Sequence, residues 1–149
     1  MRAVLTRVSE ASVRVDDELV GAIGAGLLVL LGVARDDDES DARAIADKIL
    51  TLRIWNDEHG KMNRDIHQSG GAVLLISQFT LLGDARSGKR PSFVAAAPGD
   101  RARTLYECVG ALLERGSLTV AYGRFGATMA VASVNDGPVT ILLDSRRLF

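Results

Sequence analysis

Apolar and polar positions alternate with a period of two near both ends of the chain. In Arg2–Val15 (RAVLTRVSEASVRV), Val4, Thr6 and Val8 share one face while Ala3, Leu5 and Arg7 share the other. The alternation resumes at Ala11, Val13 and Val15 after Ser9-Glu10. That period predicts strands. Asp16-Asp17 reads as a turn, Leu19–Ile23 as a returning strand, and Leu27–Val33 as a buried strand after Gly24 and Gly26. Leu118–Tyr122, Ala127–Val134 and Val139–Leu143 read as three closing strands. In between, the period changes. Ala42, Ile45, Ile49 and Leu52 recur at helical spacing behind the acidic run Asp36–Ser40, whose carboxylates suit the positive end of a helix and whose Asp38 or Ser40 can cap it. Ala102, Leu105, Tyr106, Val109, Leu112 and Leu113 mark a second helix from Asp100 to Gly116. Arg53-Ile54-Trp55 suggests a short strand, and Met62–Gln68 carries no clear period. Strands joined mostly by short turns predict an α+β fold: mainly antiparallel strands in a barrel-like or sandwiched sheet with two helices, one domain over 1–149.

The most informative stretch is Ala72–Leu82, AVLLISQFTLL. It opens as an unbroken apolar run, the mark of a strand covered on both faces. Ser77, Gln78 and Thr80 then interrupt it, with Phe79 between them. Polar side chains at the end of a buried strand are costly unless partnered. They are either a capped strand end or a row of amides and hydroxyls lining a pocket. Gly83–Pro98 follows as the longest segment without periodicity and carries Arg86, Lys89 and Arg90. A loop of that length in a small domain is more often functional than accidental.

Composition narrows the classes. The 149 residues suffice to bury roughly 70% of the unfolded surface. Eighteen basic and nineteen acidic residues leave a net charge of −1, without the basic excess needed to grip long nucleic acid; a local contact to a nucleic-acid end stays open. The single cysteine, Cys108, excludes an internal disulfide framework and falls on the apolar stripe of the second helix. No signal peptide is visible, and the runs Leu27–Leu31 and Ala72–Ile76 are too short to cross a bilayer, so a soluble, cytoplasmic protein is expected.

Candidate chemistry is sparse. Two histidines and one cysteine, far apart, do not make a zinc site. GAIGAG at 21–26 opens a strand rather than a helix, unlike a dinucleotide loop. A serine or threonine nucleophile at Ser77 or Thr80 needs a base, and neither His59 nor His67 has a visible tie to that strand end. Arg7 shares a face with Ala3 and Leu5, so it either snorkels to solvent or is held inside by carbonyls or a carboxylate. Asn135-Asp136-Gly137-Pro138 stands between two expected strands and reads as a hairpin turn or as a rigid kink around a cis Gly-Pro bond.

Taken together, SQFTL at 77–81, RPSF at 90–93, GRF at 123–125 and NDGPVT at 135–140 resemble the D-aminoacyl-tRNA deacylase family. The opening RVSEASVRV and GAGLLVLLGV fit the same family, so the resemblance spans nearly the whole chain. It implies hydrolysis of the ester bond of D-aminoacyl-tRNA, and of glycyl-tRNA, with L-aminoacyl-tRNA excluded. It places Ser77, Gln78, Phe79 and Thr80 around the 3′-terminal adenosine and its ester. It implies a homodimer in which a cis Gly137-Pro138 reaches the partner's active site and Arg7 orients that motif, with Met129 as a further pocket residue. The partners implied are tRNA and a second copy of the chain, with no membrane, metal or cofactor. The tail 144–149 runs past the shared core and carries no assigned role.

For the bond-breaking step, the missing base favours water attack, with the oxyanion on backbone N–H groups near Phe79 and help from the ribose 2′-hydroxyl. The rival makes Thr80 the nucleophile. Two other classes remain: a small-molecule esterase using Thr80 or Ser77, and a non-catalytic RNA-end binding module.

Overall fold

A computed structural model describes residues 1–149. Its strands are β1 (Arg2–Val15), β2 (Glu18–Ile23), β3 (Gly26–Gly32), β4 (Trp55–Asn56), β5 (Met62–Arg64), β6 (Ala72–Ser77), β7 (Val120–Tyr122) and β8 (Ala130–Asp144). Its helices are α1 (Glu39–Thr51), α2 (Ile66–Ser69) and α3 (Gly99–Arg115). The main sheet runs β2-β1-β3-β6-β7, with β8 on the other edge of β1. The barrel-like sheet was expected to be mainly antiparallel and is in fact mixed. β1 pairs antiparallel with β2, β3 and β8, whereas β3–β6 and β6–β7 are parallel. Each parallel pair is bridged by a connection that carries a long helix, α1 or α3, as parallel strands require.

Burial on two faces explains the unbroken apolar runs. Leu27, Val29 and Leu31 of β3 and Val73 and Leu75 of β6 join Ile45, Ile49, Leu105, Val109 and Leu113 in the core between sheet and helices. The alternate residues Leu28, Leu74 and Ile76 face the opposite way, into a smaller cluster with Val8, Ala11 and Val13 of β1. The sheet curls around that second cluster.

The acidic run starts α1, as its position predicts. Asp38 caps the helix, accepting from Ser40 N at 2.8 Å, while the Asp41 carboxylate accepts from Asp38 N at 3.0 Å. Met62–Gln68, which carried no period, forms β5 and the start of the short α2, a third helix beyond the two expected. Gly26 is required where β3 begins: its φ is +156°, and a Cβ there would lie 1.9 Å from the Ala72 carbonyl oxygen.

The closing strands differ from expectation. Residues 127–134 and 139–143 are not two strands joined by a hairpin, because β8 is continuous and both halves pair with β1. Thr6 pairs with Thr140 and Val8 with Asn135, so two steps along β1 span five along β8. The three extra residues bulge out of the ladder directly opposite Arg7.

Candidate functional site

Where β6 ends, the chain tightens into a 3-10 turn, Phe79–Leu82. Gln78 N donates to Leu31 O at 2.7 Å, which keeps the strand end fixed to β3 up to the turn. The turn's first internal bond runs from Leu81 N to Gln78 O at 3.2 Å, so the N–H groups of Phe79 and Thr80 lie ahead of it. Ser77, Gln78 and Phe79 line a cavity of about 450 Å³, within the roughly 300–1,000 Å³ common for small-molecule sites. Met129 lines it too. The polar strand end thus borders a cavity, while the Gln78 amide also makes a local bond. Thr80 is exposed and is not among the lining residues; the Gln78 side-chain amide donates to its Oγ1.

The pattern along the chain did not single out the opposite wall. Tyr106 on α3 and Phe125 after β7 face the same cavity, with ring centroids 5.7 Å apart. The Arg103 guanidinium sits over the Phe125 ring at 5.1 Å. Tyr106 donates its hydroxyl to Leu75 O at 2.8 Å, which ties α3 to β6 just before the polar residues. Burial, aided by the negative charge of Glu107, holds the Tyr106 phenol well above its ordinary range, so the donor stays protonated. Ala102 and Gly126, both small, keep the cavity open between these rings.

Arg7, Gly137 and Pro138 form a separate cluster that does not line the cavity. Arg7 does not snorkel; it is 8% exposed. Its Nε donates to Asp136 O at 3.0 Å and lies 3.2 Å from an Asp136 carboxylate oxygen, and its guanidinium also donates to Ile54 O. Arg7 thus fills the gap that the bulge leaves in the ladder and fixes where the bulge begins. Asn135 closes it from the other side: its Oδ1 accepts from Val139 N at 3.1 Å and its Nδ2 donates to Thr140 Oγ1 at 3.2 Å. Asp136, Gly137 and Pro138 are exposed, whereas Val139 is buried. The Gly137-Pro138 bond is cis. Gly137 has φ +139°, and a Cβ there would meet Val139 N at 2.7 Å, so glycine fits where other residues would not.

The bulge therefore projects from its own chain while the pocket lies elsewhere. The outer edge of β8 pairs with no other strand and exposes Val131, Val134 and Leu142. Such an edge leaves backbone N–H and C=O groups without strand partners.

Comparison with known proteins places the chain in a family. A family model described as D-Tyr-tRNA(Tyr) deacylase matches residues 4–144. The chain is 62% identical over 149 residues to a D-aminoacyl-tRNA deacylase from Anaeromyxobacter dehalogenans, covering all of both chains. It is 56% identical to one from Thermotoga petrophila, again covering all of both. Among solved structures, a protein described as c-Myc DNA Unwinding Element Binding Protein superposes with a TM-score of 0.89 at 39% identity, covering 97% of this chain and 98% of that one. A probable eukaryotic D-amino acid tRNA deacylase superposes with a TM-score of 0.84 at 15% identity, covering 95% and 97%, and so shares the fold.

Proposed function

The chain belongs to the D-Tyr-tRNA(Tyr) deacylase family, and from that membership we propose that it acts as one domain over 1–149 to hydrolyse the ester of D-aminoacyl-tRNA, releasing free D-amino acid and tRNA. The observation that carries this reading is the cavity at the end of β6, where Ser77, Gln78 and Phe79 face the aromatic wall of Tyr106 and Phe125. Its size and mixed polar and apolar lining suit the terminal adenosine and its aminoacyl group.

Water attacks the ester carbonyl carbon, and the oxyanion rests on the N–H groups of Phe79 and Thr80, which no bond within the turn engages. The carbon–oxygen bond to the ribose then breaks, and the leaving oxygen takes up a proton with the adjacent 2′-hydroxyl assisting. Thr80 is no nucleophile in this scheme: its Oγ1 takes a hydrogen bond from the Gln78 amide, and no base stands beside it.

Selection against the L form falls to the Gly137-Pro138 segment of a second copy, set against the pocket across a homodimer interface. Three features support this. The bulge is exposed, it lies away from its own cavity, and Arg7 and Asn135 hold its base. A pocket choosing by side-chain size alone discriminates by about 1–3 kcal/mol. Backbone atoms that cannot rotate away exclude the wrong side chain more strongly. Glycine has no side chain to exclude, so glycyl-tRNA is a substrate as well.

One assay tests the whole reading: deacylation of D-aminoacyl-, L-aminoacyl- and glycyl-tRNA beside a free D-amino-acid ester. The expected result is turnover of the D and glycyl forms only. Cleavage of the free ester at a comparable rate would make the protein a small-molecule esterase. Tight binding of charged tRNA without release of amino acid would make it a binding module.

A further inference from the structure

The loop between the 3-10 turn and α3 is built as an arm. Asp84 and Ser92 exchange two backbone bonds of 2.8 Å each, which closes the base and leaves residues 85–91 as an exposed tip. Behind the base, Phe93 packs edge-on against Phe79 of the pocket, with ring centroids 5.1 Å apart. Further back, Arg35 N donates to Ala95 O at 2.8 Å, so the returning strand of the loop is fixed to the end of β3.

Charge is unevenly distributed on this arm. Gly83–Pro98 holds three basic residues and one acidic, a net +2 in a chain of net −1, so the remaining residues carry −3. The lone acid, Asp84, is taken by Arg86 through bonds of 2.9 and 2.6 Å. Those contacts hold the Asp84 carboxyl well below the usual range, so it stays ionised and bound to Arg86. Lys89 and Arg90 at the tip, and Arg35 beside the returning strand, are exposed and have no carboxylate partner. Arg35 lines a separate hollow with Asp36, Asp84, Asp144 and Arg146, so the free positive charge of the arm is that of Lys89 and Arg90 at its tip. Lys89 stands four residues from Phe93, at most about 14 Å along the chain, so these charges lie only a few nucleotides beyond a 3′ end seated against Phe79.

We infer that Lys89 and Arg90 form a phosphate-binding surface for the unpaired 3′ strand and the first base pairs of the acceptor stem of the tRNA substrate. This rests on the deacylase reading above and extends it from the end of the tRNA to its body. Recognition by such a surface is electrostatic and independent of sequence. It lets the enzyme take tRNAs of any identity, which a proofreading activity requires.

The test compares wild type with Lys89→Ala/Arg90→Ala on D-tyrosyl-tRNA and on 3′-O-D-tyrosyl-adenosine, which lacks the phosphates. For tRNA, the variant is expected to raise KM and to flatten the slope of log(kcat/KM) against log salt by about 1.4–1.8, at roughly 0.7–0.9 per phosphate released. Its kcat stays unchanged, and the adenosine ester is cleaved equally well by both proteins. Lys89→Glu/Arg90→Glu should raise KM further. An unchanged salt slope on tRNA overturns the inference while leaving the deacylase intact. Equal losses on both substrates also overturn it, because the arm would then act by buttressing Phe79 through Phe93. A wild-type protein that cleaves neither substrate overturns the deacylase reading itself, and this inference with it.

Discussion

The two functional regions are built on opposite plans. The end of β6 is a receptacle whose walls come from the core: the strand is buried on both faces, Tyr106 is tied to Leu75 O, and Gln78 N is tied to Leu31 O. The 135–140 bulge of β8 is a projection with almost nothing above it, held at its base by Arg7 and Asn135. The cavity is lined without any residue of the 135–140 bulge, and the bulge projects away from it. The difference teaches where each can fail. Damage to the receptacle should alter affinity and rate, and damage to the projection should alter selection.

The sharpest way to break that contrast uses mixed dimers. Pro138→Gly removes the ring from the tip of the bulge and leaves the pocket untouched. L-aminoacyl-tRNA cleavage is expected to rise by about 100-fold or more, beyond the limit of side-chain size discrimination, with cleavage of the D form retained. Gln78→Ala/Phe79→Ala keeps the Phe79 N–H and an intact bulge but supplies a pocket stripped of two side chains that seat the adenosine, so that it no longer holds the substrate. Mixing the two with a tenfold excess of the second leaves about one working pocket in eleven facing a defective bulge, as statistical exchange in a two-fold dimer dictates. Cleavage of the L form should then fall roughly tenfold at constant D activity. If adding the pocket-dead chain leaves L cleavage unchanged, the bulge acts within its own chain and the contrast fails.

Arg7→Met probes the tie rather than the tip. It leaves Ile54 O and Asp136 O without their donor, at a cost of about 1–3 kcal/mol in stability. Thermal unfolding should fall by several degrees, and L cleavage should rise roughly tenfold, because the bulge keeps its residues but loses its fixed direction. A large stability loss with selection intact would assign Arg7 to the core alone.

How far these regions were legible in the sequence follows from the same contrast. The apolar runs Leu27–Leu31 and Ala72–Ile76 already carry the signature of strands buried on both faces. Read as parallel neighbours, they would have revealed the mixed sheet; counting short turns pointed to antiparallel pairing. The α1 start was legible because capping is local, a matter of Asp38, Ser40 and Asp41. The bulge was not. Gly and Pro punctuate a hairpin and a bulge alike, and what distinguishes them is the pairing of Val8 with Asn135, 127 positions away. Tyr106 was hidden for another reason: on a helical stripe, a residue that faces a cavity has the same spacing as one that faces the core.

That hidden wall can be tested in turn. An aromatic side chain against a base contributes about 1–3 kcal/mol, so Phe125→Ala should raise KM for D-aminoacyl-tRNA roughly tenfold. The same change removes the seat of Arg103. kcat and the exclusion of the L form should both hold, since neither the turn at Phe79 nor the bulge is touched. A relaxed selection with normal KM would move Phe125 from the receptacle to the selecting machinery.

The smallest expected effect is the most informative about chemistry. Thr80 follows the lining residues in the 3-10 turn and is exposed, with its hydroxyl receiving the Gln78 amide. In the water mechanism its side chain only steadies Gln78, while its backbone N–H, which alanine keeps, helps to hold the oxyanion. Thr80→Ala should therefore lower kcat by no more than about threefold, the loss of one exposed hydrogen bond worth roughly 0.5 kcal/mol. A nucleophilic Thr80 would make the same change abolish turnover by several orders of magnitude, with tRNA binding unchanged. Thr80→Ser is the control for the hydroxyl: both mechanisms keep it active, so Thr80→Ala alone carries the distinction. Abolished activity in Thr80→Ala with recovery in Thr80→Ser would require an acyl-enzyme on this residue and end the water mechanism.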